Sequence, residues 1–202
     1  MRGPSVYYVY MSKKILVLLG HPDTDTFTGE MATHYQDGAE DGGHEVKRIN
    51  LGELQFDPIL HKGYKAIQNL EPDLVMVQES ITWADHVVIV YPNWWCTMPA
   101  LLKGLFDRIW LPGFAFNFNK ETHRLEKHLS GKTARVIIIA GTHSPFKTWW
   151  KFGDYTNEIQ HGILGFAGFN TSVSAFGPCN KVDNTCKEKW CKQLEKLGRR
   201  AG

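Results

Sequence analysis

Three stretches of this chain are apolar or aromatic at every position: residues 15–19 (ILVLL), 87–91 (VVIVY) and 136–140 (VIIIA). A strand with one wet face alternates apolar and polar residues, whereas an unbroken apolar run has both faces buried. Such strands belong to a sheet covered on both sides. Weaker strand candidates are residues 45–50 and 171–176. Between the five lie segments of helical length: residues 28–41, 73–84, 99–111, 157–167 and 183–197. The third carries Leu101, Leu102, Leu105, Phe106, Ile109 and Trp110 at helical spacing, with Pro99 suited to a first helical position. Strand and helix in alternation predict an α/β chain with a parallel sheet and right-handed crossovers.

At 202 residues the chain fits one domain with one sizeable core. It has no internal repeat, linker or low-complexity tract. Residues 13–202 read as that domain, and residues 1–12 as an N-terminal extension whose apolar run is too short for a signal peptide. The long connections are residues 52–70 and 112–119. A net charge of +2 and a hydrophobic share of 43% argue against nucleic acid as a partner and against disorder. No stretch approaches the ~20 apolar residues of a membrane helix. Residues 181–202 carry seven Lys/Arg against three Asp/Glu, a solvated helix face or a basic docking patch. The four cysteines, Cys96, Cys179, Cys186 and Cys191, form no C-x-x-C pair and read as free thiols of a reducing cytoplasm. The nine histidines form no H-x-x-x-H pair, so surface roles are expected of them rather than a metal site.

In an open parallel sheet, ligands sit beyond the carboxyl ends of the strands, where strand order reverses. The loop after the first strand, residues 20–28, is rich in hydroxyls and runs into a helix. It reads as a phosphate site or as simple N-capping by Asp25 or Thr26; the carboxylates of Asp23 and Asp25 disfavour phosphate unless they turn away. The loop after the third strand holds Trp94 and Trp95, and that after the fourth leads to Trp149 and Trp150. Four indoles on neighbouring loops point to a flat ligand. Cys96 beside them reads as a small buried hydrophobe. G-x-G-x-x-G, Walker and G-x-S-x-G motifs are absent, and the third strand ends in Tyr91-Pro92-Asn93 without a phosphoacceptor Asp.

Gly20-His21-Pro22 with Thr26-Phe27, residues 91–108 (YPNWWCTMPALLKGLFDR), residues 111–116 (LPGFAF) and residues 162–169 (GILGFAGF) resemble the flavodoxin-like NAD(P)H:quinone oxidoreductases. The resemblance covers most of residues 14–176. It implies a flavodoxin-like fold with five parallel strands in order 2-1-3-4-5 and helices on both faces. It also implies a bound flavin, FAD rather than FMN, NAD(P)H as co-substrate, a homodimer, and two-electron reduction of quinones, nitroaromatics or related acceptors. By the family's pattern His21, Thr26, Phe27 and Thr28 meet the flavin phosphates. Pro92, Asn93, Trp94 and Trp95 line the ring edge, and Gly141, Thr142 and His143 close its other side.

Better-known members carry Thr-Thr-Gly-Gly after the fourth strand, where this chain has Ala140-Gly141-Thr142-His143. Their catalytic Tyr and His have no clean counterparts. His143 and Tyr155 are the catalytic candidates here, although His143 also reads as a loop residue satisfying a backbone carbonyl. Trp149, Trp150 and Phe116 are expected to wall a substrate pocket; the two indoles alternatively pack on the loop at residues 112–118. Two other readings stand beside the enzyme: a flavodoxin-type electron carrier, and a regulatory subunit docked on a membrane transporter.

Overall fold

The structure, a computed structural model, describes residues 12–201. Most of the expected extension, residues 1–11, lies outside the described residues. The three apolar runs form β1 (Lys14–Leu19), β3 (His86–Pro92) and β6 (Thr133–Ile139), and the weaker ones β2 (Glu45–Asn50) and β7 (Asn170–Phe176). These five pair in parallel in the order β2-β1-β3-β6-β7. The expected order therefore holds, with the two extra numbers belonging to a small hairpin. That hairpin, β4 (Phe116–Phe118) and β5 (Leu125–Lys127), is antiparallel and emerges from what reads in sequence as a plain connection.

The pleat sorts the apolar runs between two cores. Ile15, Val17, Leu19, Val88, Val90, Ile137 and Ile139 face α1 (Phe27–Asp41) and the last long helix. Their neighbours Leu16, Leu18, Val87, Ile89, Val136 and Ile138 face α2 (Pro72–Trp83), α3 (Ala100–Ile109) and a π-helical segment, Glu158–Gly165. Pro99 stands at the N-cap of α3, one residue ahead of its expected place. One helix was not expected: α4 (Pro145–Phe152), capped by Ser144, whose Oγ accepts from the Lys147 amide at 3.2 Å. The final helix is α5 (Asn184–Arg200), capped by Asp183.

The backbones of α1 and α5 touch. A Cβ on Gly38 would stand 2.2 Å from the Glu195 carbonyl oxygen, and one on Gly198 would stand 2.2 Å from that of Tyr35. No larger residue allows this approach.

The long connection after β2 is held from beneath. Arg108, 1% exposed, sends Nη2 to Glu71 Oε2 at 2.8 Å and to the Asn69 carbonyl at 2.9 Å, while Nη1 reaches the Asp57 carbonyl. Removing the carboxylate leaves a buried guanidinium without its counter-charge. Glu71→Ala is therefore expected to lower unfolding free energy by ~3 kcal/mol, the low end for a broken buried pair because Glu71 is partly exposed. A urea midpoint unchanged from wild type would refute the clamp.

His86 starts β3 inside the protein. Its Nδ1 pairs with Thr133 Oγ1 at 2.7 Å and its Nε2 with the Tyr35 hydroxyl at 3.2 Å. Burial, helped by the charges of Lys13 and Arg135, pushes the imidazole down to about 3. The folded protein thus holds it neutral while the unfolded chain protonates near the ordinary histidine value. Stability from this source is complete above about pH 6.5 and declines as pH falls toward 3. Between pH 6.5 and 5, denaturation is expected to show a slope of up to ~1.4 kcal/mol per pH unit that His86→Gln removes. A variant with the wild-type slope would count against this assignment.

Candidate functional site

Strand order reverses between β1 and β3, and three loops meet beyond the strand ends there. The first folds back on its own helix. Thr26 caps α1, its Oγ1 accepting from the Gly29 amide at 3.1 Å. Gly29 has no room for a side chain, since a Cβ would sit 2.1 Å from the Thr24 carbonyl oxygen. Asp23 turns its carboxylate inward to the Asp25 amide at 2.9 Å, and its own amide donates to His21 Nδ1 at 2.9 Å. The Asp23 charge is thus spent on its own loop. The amides of Phe27 and Thr28 open the helix and are among those that a helix start leaves without intrahelical partners. N-capping and anion binding are compatible here, because the cap occupies only the Gly29 amide.

The second loop carries strain. The Asn93 amide extends the sheet by donating to the Ile139 carbonyl at 2.8 Å. Trp94 and Thr97 then exchange backbone hydrogen bonds, both 3.0 Å, around a two-residue turn. Its tip residues, Trp95 and Cys96, have φ of +54° and +67°. Glycine and asparagine favour such positions, and other residues cost about 1–3 kcal/mol there. Trp95 gains no packing in return, being 98% exposed. Thr97 Oγ1 pins the turn to the π-helical segment by donating to Glu158 Oε2 at 2.6 Å. Asn93 Oδ1 is buried and has no hydrogen-bond partner among the described residues. His21 meets Trp94 edge-on, centroids 5.3 Å apart, which joins the first loop to the second.

The third loop is tied to the strand end by the Cys179 and Asn180 amides, which donate to the carbonyls of Ala140 and Gly141 at 2.9 and 3.0 Å. His143 Nδ1 shares a 2.9 Å hydrogen bond with Thr142 Oγ1, not with a backbone carbonyl. Partial burial and three neighbouring lysines, Lys147, Lys151 and Lys181, hold the His143 imidazole below the ordinary histidine range, so it is neutral at pH 7. The second and third loops and α4 enclose a slot of about 240 Å³, lined among others by Asn93, Trp95, Cys96, Gly141, Thr142 and His143.

The structure brings most of the expected residues to this edge, but not all. Trp149 and Trp150 ride on α4, 51% and 76% exposed, and do not line the slot; Thr148 and Phe152 do so from the same helix. The indoles do not pack on the loop at residues 112–118 either; the ring beside Trp149 is Phe146. Phe116 is separate from both. It is buried on β4 against Phe166, centroids 4.9 Å apart, and lines a different, apolar groove of about 640 Å³. Tyr155 is half-buried against the core, and burial with the nearby Asp154 and Cys96 raises its hydroxyl. Cys96 is half-exposed and faces the slot, which corrects its reading as a buried hydrophobe. Ser144-Pro145 was the overlooked sequence signal: a capping residue and a proline at the first helical position start α4, and the four-residue spacing then aligns Thr148 with Phe152.

The family model described as the flavodoxin-like fold matches residues 13–193. The chain belongs to that flavodoxin-like family. Among its curated relatives is ribosyldihydronicotinamide dehydrogenase [quinone] of Rattus norvegicus, 27% identical over 197 residues covering 82% of each chain. Another is NAD(P)H dehydrogenase [quinone] 1 of the same organism, 26% identical over 91% of this chain and 77% of that one. An FMN-dependent NADH-azoreductase from Bacillus anthracis, solved with FMN, shares the fold with a TM-score of 0.71 at 20% identity, over 93% of this chain and 98% of that one. The resemblance to the quinone oxidoreductases is borne out by these relatives.

The strained turn yields a direct test. Trp95→Asn with Cys96→Gly replaces two disfavoured residues by those that prefer this geometry. The double variant is expected to melt ~2–4 °C higher, equivalent to about 1 kcal/mol in a protein of this size. A lower melting temperature would mean that the turn is not strained.

Proposed function

We propose that this protein is a flavin-dependent oxidoreductase that takes electrons from NAD(P)H and delivers them in pairs to a quinone, a nitroaromatic or a related acceptor. The supporting observation is the buried, unpartnered Asn93 Oδ1 beside a strained turn, at the point where strand order reverses. A buried acceptor costs about 1–3 kcal/mol when unsatisfied, and a flavin offers a ring N–H that would satisfy it. The donor set also suits the group. Thr26, Phe27 and Thr28 supply hydroxyls and helix-start amides for phosphate, and the Gly29 cradle keeps the loop against them.

The bound flavin supplies the two-electron chemistry; the chain positions and tunes it. Pro92, Asn93, Trp94 and Trp95 hold one edge of the ring. Amides at Gly141, Thr142 and His143, with the positive charge of Lys147, Lys151 and Lys181 behind them, favour negative charge at the other edge. His143 stands neutral in the slot as a proton-holding candidate, with its ring fixed by Thr142. Tyr155, half-buried and within electrostatic reach of Cys96, is the second proton-holding candidate. Nicotinamide and acceptor use one slot in turn, which makes the kinetics ping-pong. FAD is favoured over FMN by family pattern alone. The apolar groove lined by the exposed Tyr64 and Phe118 supports a homodimer, since a monomer gains nothing from exposing them.

Purified protein, denatured, is expected to release a flavin, whose mass distinguishes FAD from FMN. The folded protein is expected to oxidise NADH or NADPH with menadione, giving parallel double-reciprocal lines. Thr26→Val, which removes the cap, should weaken flavin binding at least tenfold and cost about 1 kcal/mol of stability. A colourless preparation that takes up no added flavin would overturn the proposal. Flavin without NAD(P)H turnover would instead mark an electron carrier.

A further inference from the structure

Away from the slot, α1 and α5 bring four metal-ligating side chains together. Glu30 and His34 lie one turn apart on α1, and Cys191 and Glu195 lie one turn apart on α5. The ligand atoms of Glu30, His34 and Cys191 all fall within 4.8 Å of one another. They line a cleft of about 510 Å³ that opens to solvent. We propose that Glu30, His34 and Cys191 form a binding site for a thiophilic divalent cation of the zinc class, with Glu195 orienting the imidazole.

The geometry has the parts such a site requires. His34 Nδ1 pairs with Glu195 Oε1 at 2.9 Å, while Nε2 faces Glu30 Oε1 at 3.9 Å. A carboxylate on one ring nitrogen fixes the tautomer and leaves the other nitrogen's lone pair for metal, an arrangement general to histidine ligands. Thiolate, imidazole and carboxylate in a three-protein-ligand set, with a fourth position open to water, match zinc better than calcium or magnesium, which take oxygen alone. Closing onto ligand distances of about 2.0–2.3 Å draws the three ligand atoms inward from mutual separations of no more than 4.8 Å.

The helices are already in place. Their backbones meet at Gly38 and Gly198, so binding orders no loop. Cys191 is 4% exposed, with its Sγ 3.9 Å from Met31 Sδ, which walls the inner side. Burial and the carboxylates of Glu30 and Glu195 push the Cys191 thiol up to about 11, and a bound cation reverses that effect by favouring the thiolate. Of the cleft's lysines, Lys187 holds its ammonium over the Phe27 ring, 5.2 Å from the centroid, and not toward the thiol. Such an ion would staple the first helix to the last, next to Phe27.

Co²⁺ added to chelator-treated full-length protein tests the site. One equivalent is expected to bind, giving a near-ultraviolet thiolate-to-cobalt band and intense visible bands of low coordination number. Cys191→Ser should abolish the near-ultraviolet band, and His34→Gln should weaken binding more than tenfold. Glu195→Gln should weaken it ten- to a hundredfold without changing the band. Zn²⁺ should displace the cobalt and raise the melting temperature of wild type, less so that of Glu195→Gln, and not that of Cys191→Ser. Weak, six-coordinate spectra overturn the proposal, as does a thiolate band that survives Cys191→Ser and so belongs to Cys96, Cys179 or Cys186. Each variant's melting temperature in chelator checks its fold; should Cys191→Ser not fold, His34→Gln on the half-exposed face of α1 carries the test.

Discussion

β3 hydrogen-bonds to β1 along one edge and to β6 along the other, and all seven of its residues are buried. A strand in that position has no route to water for any backbone group, so both neighbours must be present for it to exist. Everything at the functional edge hangs from it. Crossovers leave β1 toward one face and β3 toward the other, because each must cover a different side of the same sheet. Their loops consequently diverge, and a crevice opens between them. The crevice is a consequence of covering two faces of one sheet with one chain, before any side chain specialises it.

Specialisation appears as departures from local preference. Trp95 and Cys96 occupy left-handed backbone that neither favours, and Trp95 does so almost wholly in solvent. Asn93 buries an acceptor with no partner. Local stability explains neither. The rest of the molecule is locally consistent and can hold this strain: Thr26, Ser144 and Asp183 each cap the helix they precede, and Arg108 locks the long connection to α3.

The five strands were legible because burial on both faces leaves a periodicity of its own, namely none. The hydroxyl-rich loop before α1 was legible as a helix start, with Thr26 as its cap. Other features were not. α4 carries Ser144-Pro145 at its start, but Trp149 and Trp150 fit an aromatic loop equally well. Phe116 shares its apolar character with the slot's aromatics, yet the β4–β5 hairpin turns it toward Phe166. Nothing in Trp-Trp-Cys announces a left-handed turn, because that geometry is normally written in Asn and Gly.

The sequence by itself determined the layered architecture and the family, for these follow from which residues must avoid water and from short contiguous segments. Tertiary structure alone decided which side chains share a space. Glu30 and Cys191 are 161 positions apart, and only the glycine contact of α1 with α5 makes them neighbours. Hydrophobic burial is a property of each position and so is written locally. Ligand geometry is a property of pairs, and pairs are chosen by packing.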